Sequence, residues 1–155
     1  MNTTAAKPVR LIALLLIIAG ALMVVAGGAV SLVVRDQLVA ENITIPEDAI
    51  AFAGKRVDGP LDAYVQADII NKHALAATDG KTYAELDRED PARATVMNGS
   101  FLRASLFTSV IAFGVAAFAI GIGVLQILTG YALRKLVPAP ERITVESRVV
   151  EPALA

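Results

Sequence analysis

The sequence predicts an all-α membrane protein: two antiparallel transmembrane helices with a small helical extracytoplasmic segment between them. Three observations carry this. Apolar residues make up 55% of the 155-residue chain, whose mean hydropathy is +0.61. They gather in two uncharged blocks, LIALLLIIAGALMVVAGGAVSLVV (11–34) and SLFTSVIAFGVAAFAIGIGVLQILTG (105–130). At about 1.5 Å per residue, a 24-residue helix reaches roughly 36 Å, enough for a hydrocarbon core of about 30 Å with some tilt. Between the blocks, residues 35–104 hold 8 basic and 12 acidic residues, a formal charge of -4, too polar for a bilayer.

Residues 1–10 form the N-terminal segment and place Lys7 and Arg10 ahead of the first span, 11–34. Lys7 and Arg10, the run Leu11–Ile18 and Ala19-Gly20-Ala21 also follow the layout of a cleavable signal peptide. The apolar run continues unbroken to Val34, past the roughly 7–15 residues of a cleaved core, which favours an uncleaved anchor. Lys7 and Arg10 before the first span, with Arg134 and Lys135 after the second, outnumber Arg35 and Arg103 on the loop side. The positive-inside rule therefore expects a bacterial plasma-membrane protein with both termini cytoplasmic and 35–104 outside. The richness in Ala, Val, Arg and Asp points to a high-GC bacterial source.

Within the exported segment, RDQLVAEN (35–42) is expected to prolong the first helix by two turns. ITIP (43–46) should be extended, because a residue before proline avoids helical geometry. PEDAIAFAG (46–54) is expected to be a short helix opened by Pro46 and stopped at Gly54. PLDAYVQADIINKHALAATDG (60–80) is the clearest soluble helix, with Pro60 in its first turn, Asp62 at the positive dipole end and Gly80 as C-terminal cap. Its expected inner side collects Leu61, Tyr64, Val65, Ile69, Leu75 and Ala76, interrupted by an Asp68–Lys72 pair at i,i+4. Thr82-Tyr83-Ala84-Glu85 matches a capping box for another short helix. Asp90-Pro91 should cap and start PARATVMNGSFLRAS, with Asn98-Gly99 breaking that helix before the membrane. The tail 134–155 carries three prolines and mixed charges and is expected to be disordered and cytoplasmic, with ITVESRVV as a strand that could pair with a partner.

GPLDAYVQADIINKHALAATDGKTYAEL followed by DREDPARATVMNGSFLRASLFTSVIAFGVAA resembles a group of small actinobacterial two-span integral membrane proteins. The resemblance covers nearly the whole chain except the tail and implies the two-span architecture, with no established activity. Some of those proteins carry the label of an aromatic ring-opening dioxygenase, which implies iron ligands. A facial triad needs two imidazoles. The chain has one histidine, His73, so such a triad within one chain is excluded.

Other chemistry fails on the same terms. No cysteine is present for a disulfide or a thiolate site, and no G-x-S-x-G or phosphate-binding glycine loop occurs outside the spans. Asp87, Glu89 and Asp90 lack the ligand ladder of an EF-hand and, interleaved with Arg88, suit a solvated charge cluster. The near-neutral net charge of -1 gives no reason to expect nucleic acid. The expectation is a protein without enzymatic activity, metal or cofactor.

The strongest pattern lies in the second span, which with its flank runs over 105–133. Ser105, Ala112, Ala119 and Gln126 lie seven residues apart, and Ser109, Ala116, Gly123 and Gly130 form a second series offset by four. Leu106, Phe113, Ile120 and Ile127 fill an adjacent, bulky register. Small residues let helix backbones approach closely, the main source of packing in lipid. A seven-residue period favours a left-handed crossing near about +20°. Ala13, Gly20 and Gly27 repeat the spacing in the first span. Two readings follow: the seams close the chain's own hairpin, or the second seam packs on a membrane-protein partner or a second copy. Gln126 is expected to hydrogen-bond across a helix pair. The role these features favour is an accessory or assembly subunit; an extracytoplasmic sensor or ligand-binding module is the alternative and would need a pocket within 35–104.

Overall fold

The computed structural model describes residues 3–137, with side chains from Lys7 onward. Of the tail expected to be disordered, 134–155, residues 134–136 instead continue the last helix, and 138–155, with the expected strand, fall outside these residues. Three helices follow in order, α1 (Thr3–Ala40), α2 (Pro60–Ala76) and α3 (Ala92–Leu136). Among the described residues there is no strand beyond an isolated antiparallel bridge between Thr44 and Arg56. Helices α1 and α3 are long and apolar enough to cross a membrane, with mean hydropathies of 2.7 and 2.4 in their most apolar stretches. Their apolar side chains mostly face outward: Leu22, Val25 and Phe118 are 65%, 69% and 71% exposed.

Helix α1 starts inside the expected N-terminal segment, carries Pro8 in its second turn and stops at Ala40, so 35–40 continue it as expected. Asn42 then takes a left-handed conformation (φ 52°) and turns the chain away. Residues 43–45 are extended, but the expected helix over 46–54 does not form. The chain bends through 46–54 and returns as an extended partner: Ile45 N–H donates to Lys55 O (2.9 Å) and Val57 N–H to Ile43 O (3.0 Å). The pairing buries Ile45 and Val57, the largest fully buried side chains. A nine-residue helix is marginal in water, and burying two β-branched residues outweighs it. Phe52 (φ 59°) and Gly54 (φ 71°) absorb the reversal.

Helix α2 keeps its expected start at Pro60, and Gly80 (φ 83°) donates its N–H back to Leu75 O at 2.8 Å. Its inner face differs from expectation. Asp62, Ala63, Val65, Gln66, Ala67 and Ile69 are buried, whereas Leu61 and Tyr64 are 66% and 51% exposed. Close packing selects the small Ala63 and Ala67, and Tyr64 instead sets its ring edge-on to Phe107 at 5.9 Å. Lys72 reaches Asp48 (3.7 Å) rather than Asp68.

The capping-box contact after α2 forms without the helix it announces. The Glu85 carboxylate accepts from the Thr82 N–H and hydroxyl, both at 2.7 Å, yet 82–85 closes only a turn. Asp90 Oδ1 accepts the Ala92 N–H (2.8 Å) and so caps α3, as expected. Asn98-Gly99 does not break α3. Gly99 is buried where α2 crosses; a side chain there would sit 3.2 Å from Ala74 Cβ. Its lack of a side chain serves that approach, and the helix passes uninterrupted. Residues 35–104 form a cap whose core joins Leu38, Ile45, Val57, Ala63, Val65 and Ala67 to Leu106, where α1, the 43–57 reversal, α2 and α3 meet.

Candidate functional site: the glycine seam and the cap above it

The series Ala13-Gly20-Gly27 of α1 and Ala116-Gly123-Gly130 of α3 meet each other. A methyl group placed on Gly130 would lie 2.6 Å from the Ala13 carbonyl oxygen. On Gly123 it would lie 2.6 Å from that of Gly20, and on Gly27 2.7 Å from that of Ala116. Ala13, Gly20, Gly27, Ala116, Gly123 and Gly130 are all buried. As the number rises along α1 its partner's number falls along α3. Three contacts seven residues apart hold the backbones together over roughly 21 Å. In apolar surroundings such contact is made of dispersion and of Cα–H···O approach, both requiring the missing side chains.

The other predicted residues flank this line. Ser109, Ala112, Ala119 and Gln126 are half-buried beside it, and Ser105 is exposed, outside the contact. The bulky register is not excluded: Leu106 is 3% exposed, and Ile120 and Ile127 pack over Gly27 and Gly20. Bulky side chains fill the space that the glycines leave on either side. The hydroxyls of Ser31 and Ser109 turn back to carbonyls one turn earlier, on Gly27 (3.0 Å) and Ser105 (3.3 Å). Gln126 does not make the expected hydrogen bond across the helices; its Oε1 is buried without a partner. Not every glycine belongs to the seam. Gly28, Gly114 and Gly121 have nothing within 4 Å of where a side chain would start.

Above the seam, charge fastens the cap. Asp62, 4% exposed, accepts from Lys55 Nζ and from the Asp58 N–H, each at 3.0 Å. Lys55 and Arg35 also approach Asp58, at 3.4 and 3.5 Å, tying the end of α1, the reversal and α2 together. Burial opposes ionisation of Asp62, but the Asp58 N–H and the Lys55 ammonium prevail and hold its carboxyl at about 2. The Asp62 carboxylate, chiefly by its hydrogen bond, raises the Lys55 ammonium above its ordinary value. His73 Nε2 meets Asp48 Oδ2 at 2.8 Å on the surface, and that hydrogen bond lowers the Asp48 carboxyl. Both side chains are about half exposed. By its position in the sequence Asp62 is only a helix-dipole partner; its burial depends on Lys55, seven residues away, being brought beside it.

A cavity of about 310 Å³ opens between the end of α2, the 82–84 turn and the start of α3. Asn71, Thr82, Tyr83, Ser100 and Arg103 bring polar groups to it, and Leu75 and Val96 line its apolar side. Arg103 Nε itself is enclosed by protein, without a hydrogen-bond partner. The Asp87–Asp90 cluster lines a shallow surface depression with Arg88 and Pro91. Among the described residues no three His, Cys, Asp or Glu side chains converge as a metal site. Compared with known protein families, with curated proteins and with solved structures, the chain matches none.

Proposed function

We propose that the chain is a non-enzymatic integral protein of the bacterial plasma membrane, an accessory or assembly subunit built on an antiparallel pair of transmembrane helices. Both termini are cytoplasmic and the cap, 35–104, is extracytoplasmic. The basic excess at Lys7, Arg10, Arg134 and Lys135 supports this reading. The observation that carries it is the division of the glycines. One set is consumed in the hairpin, while Gly114 and Gly121, seven apart on α3, lie open on an outward surface with Ile111, Val115 and Phe118. With Gly20, Gly27, Gly123 and Gly130 taken up within the chain, a partner membrane protein or a second copy would meet this outer face, with membrane lipid covering the rest.

The test is extraction in gentle detergents followed by sizing and identification of what stays bound. The wild-type protein should run as a complex, and Gly114→Leu with Gly121→Leu should release it while leaving the hairpin folded. A clean monomer in several detergents overturns the subunit role. The cavity above α2 favours a second reading, an extracytoplasmic ligand-binding module, because its lining falls entirely within 71–103.

A further inference from the structure

We propose that the cavity between α2 and α3 binds a phosphate anion, with Arg103 as its principal contact. The inference rests on the ligand-binding reading and names the class of ligand. Arg103 is the single charged group in the lining; no carboxylate faces it. Among the described residues no acidic side chain pairs with Arg103, whose guanidinium instead lies 5.8 Å from the centre of the Phe107 ring. A planar guanidinium with no acidic partner can match two oxygens of one phosphate at once. The Asn71 amide and the Ser100 hydroxyl stand on the facing helices as further donors. Both helices are held in place by the close approach at Gly99.

Size and position narrow the ligand. A volume of about 310 Å³ is at the small end of ligand sites and suits a headgroup or small phosphomonoester rather than a large cofactor. Arg103 is the last charged residue before the uncharged stretch of α3 that begins at Ala104. A phosphate held there lies at the outer edge of the proposed span. The phosphate of an anionic phospholipid would reach it with its acyl chains along α3, and a free phosphomonoester would reach it from solution.

The experiment uses the full chain in neutral detergent. Native mass spectrometry counts retained phosphatidylglycerol against phosphatidylcholine of the same acyl chains, and calorimetry titrates glycerol phosphate. The wild type should retain phosphatidylglycerol at least about tenfold better than phosphatidylcholine, or bind glycerol phosphate; the first outcome assigns the lipid source and the second the soluble one. Arg103→Gln should abolish either, Arg103→Lys should weaken it, and Ser100→Leu should block it by filling the cavity. Arg88→Gln, on the surface cluster, should leave it unchanged. If Arg103→Gln does not fold, Arg103→Lys and Ser100→Leu decide. Binding by Arg103→Gln or by Ser100→Leu equal to the wild type overturns the proposal. So does a wild type that neither prefers the anionic lipid nor binds glycerol phosphate. Alkaline carbonate extraction tests the membrane reading separately: a chain released by carbonate that still binds glycerol phosphate through Arg103 keeps the site and loses the span.

Discussion

Gly20 and Gly123 each turn the position of a missing side chain onto the other's carbonyl oxygen. A methyl group on Gly123 would lie 2.6 Å from Gly20 O, and one on Gly20 would press still closer on Gly123 O. The relation is reciprocal and both obstacles are backbone, which cannot rotate away as a side chain can. Gly20→Ala or Gly123→Ala must therefore push the helices apart. Each should cost about 1–3 kcal/mol, the range for overpacking a close interior contact. The measurement is thermal unfolding in detergent, and a melting temperature unchanged in both variants would refute the seam.

The open glycines predict the reverse. Gly28, Gly114 and Gly121 have free space where a Cβ would stand. Alanine has the higher helix propensity by about 0.5–1 kcal/mol. Gly114→Ala should therefore leave the isolated hairpin as stable as the wild type or more so. A loss of stability comparable with Gly123→Ala would mean that the outer face already makes contacts within the chain.

Asp62 gives the cap its acid sensitivity. Its carboxyl, at about 2 in the folded chain, lies below its ordinary value of 3.8. A depressed carboxyl contributes stability that is present above the unfolded value and lost as pH falls toward the folded one. The window is thus about pH 4 down to 2, and the contribution is about 2 kcal/mol. Asp62→Ala should remove that part of the acid transition and leave Lys55 without its buried partner. Melting curves between pH 5 and 2 that superimpose for wild type and variant would count against the network.

Ile45→Ala tests whether the 43–57 reversal stabilises the cap. Ile45 is 1% exposed, and truncating such a residue costs about 2–5 kcal/mol. Hydrogen exchange should quicken at Val57 N–H, which pairs with Ile43 O, while amides around Gly20 and Gly123 stay protected. Equal loosening in both regions would show that cap and seam unfold as one unit.

What was legible in the sequence is what depends on spacing along one helix. The two apolar blocks, the series Ala13-Gly20-Gly27 and Ala116-Gly123-Gly130, Pro60, Gly80 and the Asp90 cap can each be found by counting, because helical geometry fixes their faces. The pairing of Ile45 with Val57, the burial of Asp62 by Lys55 and the cavity beneath Arg103 depend on residues distant in sequence. Local signals were overruled where tertiary contacts were stronger. Pro46 and Gly54 frame a segment that Ile45 and Val57 pull open, and the Thr82–Glu85 contact caps a turn with no helix behind it. Asn98-Gly99 resembles a helix break but marks a crossing point. Gln126 shows the limit most plainly, because its spacing places it in the predicted seam and suggests a hydrogen bond across it, whereas its Oε1 meets no partner atom there.

The absence of cysteine makes the proposed orientation directly testable, since any introduced thiol is unique. Ala77, exposed at the end of α2, and Leu136, 75% exposed at the end of α3, lie on opposite sides of the membrane in the proposed arrangement. In intact cells stripped of their wall, a membrane-impermeant maleimide should label Ala77→Cys at once. Leu136→Cys should label only after permeabilisation. The proposed orientation rests on a basic excess of four residues against two, so reversing it needs few changes. Replacing Lys7, Arg10, Arg134 and Lys135 with Gln should scramble the pattern, giving partial labelling at both sites. Labelling of Leu136→Cys but not Ala77→Cys in unpermeabilised cells would invert the topology and move the Arg103 cavity to the cytoplasmic face.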